Sequence, residues 1–167
     1  MSDRNSVKMM VVTGLLTGMN VVMSSFSIPV PGGHLYLNDA VICLAAMLLG
    51  PFHAFVVGGI GAFIGDMLFY PAPMFVSLAT HGLQAVVISL LVANKDVSKG
   101  RIILALAIGV VINVVGYSFG RAFIYSTPQY AYLKLPFQTF QALFGAVVAP
   151  MLLFKCGIKK EFTRIFG

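Results

Sequence analysis

The stretch PGGHLYLNDAVICLAAMLLGPFHAFVVGGIGAFIGD, residues 31–66, decides how the chain is read. It opens on a Pro-Gly-Gly turn and a polar knot from His34 to Asp39. An apolar run follows and is broken at Gly50-Pro51; a second, glycine-rich apolar run ends on Asp66. Two apolar segments joined by a tight turn, with an acid at each outer end, read as a helical hairpin in a membrane. The acids then lie where something polar is bound.

Composition extends that reading to the whole chain. Of 167 residues, 59% are hydrophobic and 10% charged, against about 25% charged in a soluble domain. Mean hydropathy is +0.94. The expected fold is all-α, an integral membrane bundle of six transmembrane helices forming a single domain over residues 1–167, since this length holds about six spans of ~20 residues. The spans are placed at about residues 7–26, 37–50, 52–70, 74–94, 102–125 and 134–156. The first apolar run lacks a short core followed by a small-residue cleavage site and is read as a span, not a leader.

The net charge of +6 does not indicate nucleic acid. Arg4, Lys8, Lys95, Lys99, Arg101, Lys155, Lys159, Lys160 and Arg164 all fall on one side of a six-span topology, leaving Lys134 opposite and Arg121 within a span. By the positive-inside rule both termini are cytoplasmic. Cys43 and Cys156 have neither CxxC spacing nor a neighbouring His cluster, so no disulfide, metal or cofactor is expected.

Span two is short. Fourteen residues at about 1.5 Å each reach ~21 Å of a ~30 Å core. The loop before it, residues 27–36, is therefore expected to dip into the membrane, which irregular backbone does only against protein or a watery cavity. In span one, Gly14 and Gly18 lie on one helix face beside Thr13 and Thr17; the pair serves either packing within the chain or docking of another membrane subunit. Gly58, Gly61 and Gly65 are expected to share one face of span three.

Polar residues at membrane depth gather in the outer halves of the spans. Asn20 is in span one, Asn38 and Asp39 open span two, and Asp66 closes span three. His81 and Gln84 follow in span four, Tyr117 and Arg121 in span five with Asn113 nearer its middle, and Gln138 and Gln141 in span six. Each is costly in hydrocarbon, so together they imply a polar pocket facing outward. The inner halves lack such groups, which argues against a continuous pore. His34 and Tyr36 could cover the pocket from the loop.

Structural alternatives stand beside these roles. Arg121 pairs with Asp39 or Asp66; Asn38 and Asp39 cap span two; His81 and Gln84 bond to each other. Tyr125, Tyr130 and Tyr132 form an interfacial belt or, alternatively, cover a ligand. No phosphate-binding G-x-x-x-x-G-K-[ST], HExxH or GxSxG occurs. A pocket with no energy source points to a binding subunit that needs partners. The other readings are a self-sufficient proton-coupled transporter and an acid-base enzyme built on Asp39, Asp66 and His81.

GGHLYLNDAVICLAAMLLGPFHAFVVGGIGAFIGDML, a proline-containing loop, and SLATHGLQAVVISLL together resemble the substrate-binding S components of energy-coupling factor (ECF) transporters, riboflavin-type branch. The resemblance covers nearly the whole chain. It implies capture of a vitamin or precursor from outside a bacterial plasma membrane, with a membrane scaffold (T) subunit and two cytoplasmic ATPases as partners. It also implies that Gly14 and Gly18 dock the scaffold, with glycine where alanine is more usual, and that the loop and the outer parts of spans four to six form the pocket. Within the branch it leans toward hydroxymethylpyrimidine or pyridoxine, with riboflavin or another vitamin as the alternative. Lys134 is the one further basic candidate for a phosphate or carboxylate, which weighs against folate and pantothenate.

Overall fold

The Pro-Gly-Gly turn forms a β-hairpin. A computed structural model describes residues 3–93 and 97–166. Asn94 and Lys95, at the end of span four and in its basic loop, lie outside the described residues. Strand β1 (Ser27–Val30) pairs antiparallel with β2 (Gly33–Tyr36), Ser27 opposite Tyr36 and Val30 opposite Gly33. Pro31 and Gly32 are the two turn residues, and Gly32 has φ +81°. A type II turn asks for this order, proline first and a residue tolerant of positive φ second. The segment expected as a loop is thus a small sheet.

Helix α1 (Asp3–Ser25) precedes the hairpin, and α2 (Asp39–Leu48) follows it. Then come α3 (Pro51–Phe69), α4 (Met74–Val92), α5 (Lys99–Tyr125) and α6 (Pro128–Lys155), and last a short α7 (Ile158–Phe166). Among the described residues, five helices (α1 and α3–α6) are long and apolar enough to cross a membrane. The expected second span is only the 10-residue α2, all of it buried. Ten residues rise about 15 Å, and the hairpin lies at its N-terminal end. The helix is short because it is a central plug, walled by its neighbours.

Span six begins earlier than expected. Thr127 caps α6, its hydroxyl accepting from Tyr130 N at 3.5 Å, and Pro128 takes the first helical position. Residues read as an outer loop are therefore the first turns of the helix, and Lys134 is buried inside it at 1% exposure.

Glycines set the helix spacing. On α5, a Cβ at Gly109, Gly116 or Gly120 would meet Ile88, Thr80 or Val76 of α4 at 2.5 Å. The glycines of α3 do not share one face. Gly58 and Gly59 press on α4, whereas Gly61 and Gly65 press on Asn20 and Ser24 of α1. A π turn over Val56–Ile60 is the reason: one extra residue rotates the following helix by about 100°. Asn20 Nδ2 donates to Val57 O within that turn at 2.6 Å.

The apolar core fills the half of the bundle away from the hairpin, from Val41 to Leu49 outward to Ile88, Leu106 and Leu153. Within it, Ser89 Oγ donates to Leu49 O at 2.6 Å. Lys8 Nζ donates to Ile165 O at 2.5 Å, so the start of α1 and α7 share the end opposite the hairpin.

Candidate functional site

Asp39 is the hub. It is fully buried at the first turn of α2, and Gly145 of α6 lets it approach: a Cβ there would lie 2.6 Å from Asp39 Cβ. Its Oδ1 accepts from Asn113 Nδ2 at 2.8 Å and from Gln84 Nε2 at 3.4 Å; its Oδ2 accepts from Gln141 Nε2 at 2.7 Å. Asn113 also donates to Gln84 Oε1 at 3.1 Å and accepts from Gln138 Nε2 at 2.6 Å. Four helices thus meet on one carboxylate. Amide side chains suit this because each both donates and accepts, so the chain of bonds closes without a second charge.

His81 Nδ1 lies 2.9 Å from Gln84 Oε1 and 3.8 Å from Asp39 Oδ1. Both neighbours are acceptors, which assigns the proton to Nδ1. Gln141 Oε1 accepts from Tyr36 N at 3.0 Å, tying β2 to the network. A second cluster sits beside the first. The Ser77 hydroxyl donates to Asp66, and Tyr117 Oη donates to Ser77 Oγ at 2.6 Å. The Tyr117 ring meets His81 edge-on, centroids 5.2 Å apart.

Above these clusters lies a small cavity of about 40 Å³. Eight of the expected site residues line it: His34, Tyr36, Asn38, His81, Tyr117, Arg121, Gln138 and Gln141. The other three, Asp39, Gln84 and Asn113, lie behind the wall and hold it in place. Asp66, expected at the polar pocket, and Tyr125 also line the cavity, as does Tyr70, which the sequence does not single out. Of the three tyrosines read as belt or cover, Tyr125 lines the cavity, whereas Tyr130 and Tyr132 are 53% and 78% exposed.

Three buried polar atoms of cavity residues have no hydrogen-bond partner: Asn38 Oδ1, His34 Nδ1 and Tyr125 Oη. Buried groups are normally satisfied, so three at one cavity make it the candidate place for a polar ligand. Burial, helped by the nearby Asp66 charge, raises the Tyr36 hydroxyl well above its usual pKa; it remains a neutral donor at physiological pH.

Two structural alternatives are corrected. Arg121 pairs with neither Asp39 nor Asp66, since no such ion pair occurs among the described residues. Instead it lies over the Tyr125 ring, 5.6 Å from the centroid. A π turn over Arg121–Tyr125 sets the two there. Asn38 stands at the N-cap of α2 but makes no side-chain cap; its amide donates to Ser24 Oγ at 3.3 Å, and the Asp39 side chain is committed to the network. The His81–Gln84 bond is present as expected.

Lys134 enters from α6. It donates to His34 O, and Gly32 is pressed so close that a Cβ would lie 2.9 Å from Lys134 Cβ and Tyr130 O. The hairpin is therefore latched onto α6 at Gly32, His34 and Tyr36. Gly14 and Gly18 lie far from all of this in contact terms: a Cβ at either would meet nothing within 4 Å. They do not pack within the chain, which removes one of their two readings. No group of three or more metal-ligating side chains occurs among the described residues.

The model of the family described as ECF-type riboflavin transporter, S component, matches residues 4–159. The chain belongs to this family. It is a substrate-binding S component of an ECF-type vitamin importer, a multi-pass plasma-membrane protein and a transport subunit without catalytic activity. The acid-base enzyme reading falls with that assignment.

Relatives agree in extent. A Pyrococcus woesei protein described as an uncharacterized protein in the gap 3′ region is 29% identical over 72% of this chain and 82% of its own length. A UPF0397 protein of Streptococcus agalactiae is 26% identical over 75% and 76%, and UPF0397 protein YdcD of Lactococcus lactis is 28% identical over 74% and 75%. Among solved structures, FolT bound with folic acid superposes with a TM-score of 0.66 at 18% identity, covering 86% of this chain and 90% of that one. At that identity the likeness speaks for the fold.

Proposed function

We propose that this S component captures a small hydroxymethylated heteroaromatic vitamin or precursor, hydroxymethylpyrimidine or pyridoxine, at the hairpin end. It then delivers its cargo through a membrane scaffold and two ATPase subunits. Both termini face the cytoplasm and the cavity faces outward. The observation that carries the reading is the cavity with three orphaned polar atoms over an amide network centred on Asp39.

The charges refine it. Arg121 and Asp66 both line the cavity, with Asp39 behind its wall, and no direct Arg-carboxylate pair joins them among the described residues. Such a site suits a dipolar ligand, a ring with donors toward the carboxylates and an acceptor toward the guanidinium. An aminopyrimidine and a hydroxypyridine both have that character, and Tyr36, Tyr70 and Tyr125 offer ring faces for stacking. A cavity of about 40 Å³ holds two or three waters, so capture requires the hairpin to lift from α6.

The exposed glycines supply the partner face. Gly14 and Gly18 lie among exposed Val7, Met10, Val11, Leu15 and Val22 on α1, where a scaffold helix can come close. Calorimetry of the purified chain against a vitamin panel tests the site. One of the two named ligands should bind, and Gln138→Ala should weaken it about tenfold, the loss of one hydrogen bond. If no vitamin binds, or if riboflavin alone does, the ligand assignment fails.

A further inference from the structure

A second concavity lies at the opposite end of the molecule and shares no lining residue with the vitamin cavity. It is a groove of about 1450 Å³ between α5 and α6. Met47 and Leu48 of α2 form its floor, and Phe162 and Phe166 of α7 close its end. Apart from Lys99, Lys159 and Thr163, its walls are apolar. It runs straight into a cup of about 580 Å³ on the α7 side, where Lys159, Lys160, Thr163 and Arg164 replace the aliphatic lining. Leu153, Phe154, Lys159 and Thr163 belong to both.

We infer that groove and cup together bind one anionic phospholipid, its acyl chains between α5 and α6 and its phosphate at the Lys159–Lys160–Arg164 end of α7. The walls belong to helices apolar enough to cross a membrane, so the length of the groove lies at hydrocarbon depth. Water there would find no polar partners. Its end changes abruptly to cations, matching an occupant that is greasy along most of its length and anionic at one tip. Basic pockets between transmembrane helices at the cytoplasmic surface take phospholipid headgroups for this reason.

Helix α7 is built to complete the site. Ile158 and Phe162 pack toward the core, while its cations lie on the exposed side. The described acid in this helix, Glu161, is 3.7 Å from Arg164 across an exposed i,i+3 pair, an interaction of small value in water. Lys8 holds the far end of α7 through Ile165 O. An amphipathic helix held this way makes a shelf at the headgroup level.

The test is native mass spectrometry of the full chain released from nanodiscs of equimolar phosphatidylglycerol and phosphatidylcholine. One phosphatidylglycerol per chain should be retained, with about tenfold preference over phosphatidylcholine. The triple change Lys159→Gln, Lys160→Gln, Arg164→Gln should bring that preference close to unity. Ala107→Trp, or Val147→Trp from the facing wall, should expel both lipids by filling the groove; both positions are exposed, so the fold tolerates them. Equal retention of the two lipids, retention of neither, or lipid still held by both tryptophan variants would overturn the inference. So would a tryptophan variant that keeps its lipid and instead loses a membrane protein partner, since the groove would then belong to that partner.

Discussion

Two pairs of glycines in this chain have the same spacing and opposite surroundings. Gly61 and Gly65 of α3 are filled positions: a Cβ would lie 2.8 Å from Asn20 Nδ2 and 2.6 Å from Ser24 Oγ. Gly14 and Gly18 of α1, also four apart, face nothing within 4 Å. The first pair seats α1 against α3 beneath the hairpin. The second presents the outer face of the same α1. A four-residue glycine spacing states that a backbone can come close; it does not state whose. Only the helix that uses up its glycines internally is settled by this chain; the open pair on α1 is the face that the proposed scaffold docking would use.

The largest expected effect breaks the filled pair. Gly65→Leu must displace Ser24, which bonds Asn20 O and accepts from Asn38. It should destabilise the chain by about 3 kcal/mol, at the upper end for overpacking, read as a lower thermal midpoint in detergent. Gly65→Ala should cost less, about 1 kcal/mol, because only one carbon has to fit. Ser24→Gly in the same chain should recover part of that loss. A coupling of at least about 0.5 kcal/mol in the double-mutant cycle would show that the two positions touch; strict additivity would contradict the contact. At the small end, Gly14→Leu and Gly18→Leu should each leave the thermal midpoint unchanged within about 0.5 kcal/mol.

The same contrast shows what could be read without the structure. Long apolar runs gave away five of the spans, because hydrocarbon imposes one requirement on every residue across its depth. The shortness of α2 is legible in its run length, but its complete burial depends on neighbours far along the chain. The π turns at Val56 and Arg121 left no mark in the apolar pattern, yet they decide which way Gly61 and Gly65 face and where Arg121 lies. The Thr127-Pro128 start of α6 is legible as a cap followed by a first-turn proline, a signal that span bounds set at 134 do not use. Had it been read so, Lys134 would have been placed inside the helix.

In the site, depth alone grouped Asp39, Gln84, Asn113, Gln138 and Gln141, and they form one bonded network. Depth could not divide them into wall and support, a division set by side-chain direction. Gln138 lines the cavity, while Asn113 bonds to it from behind. Ser77 was missed because a serine in a span draws no attention until an acid is found beside it. Gly145 was missed for a related reason: its contact with Asp39 joins residues 106 positions apart.

The proposed function assigns the hairpin end to the vitamin and the outer face of α1 to the scaffold. The double variant Gly14→Leu, Gly18→Leu tests that division most directly, by vitamin affinity of the purified chain measured beside co-purification with scaffold and ATPase subunits. Affinity should match the parent while the partners are lost. A variant that keeps its partners, or one that loses the vitamin, would contradict the account.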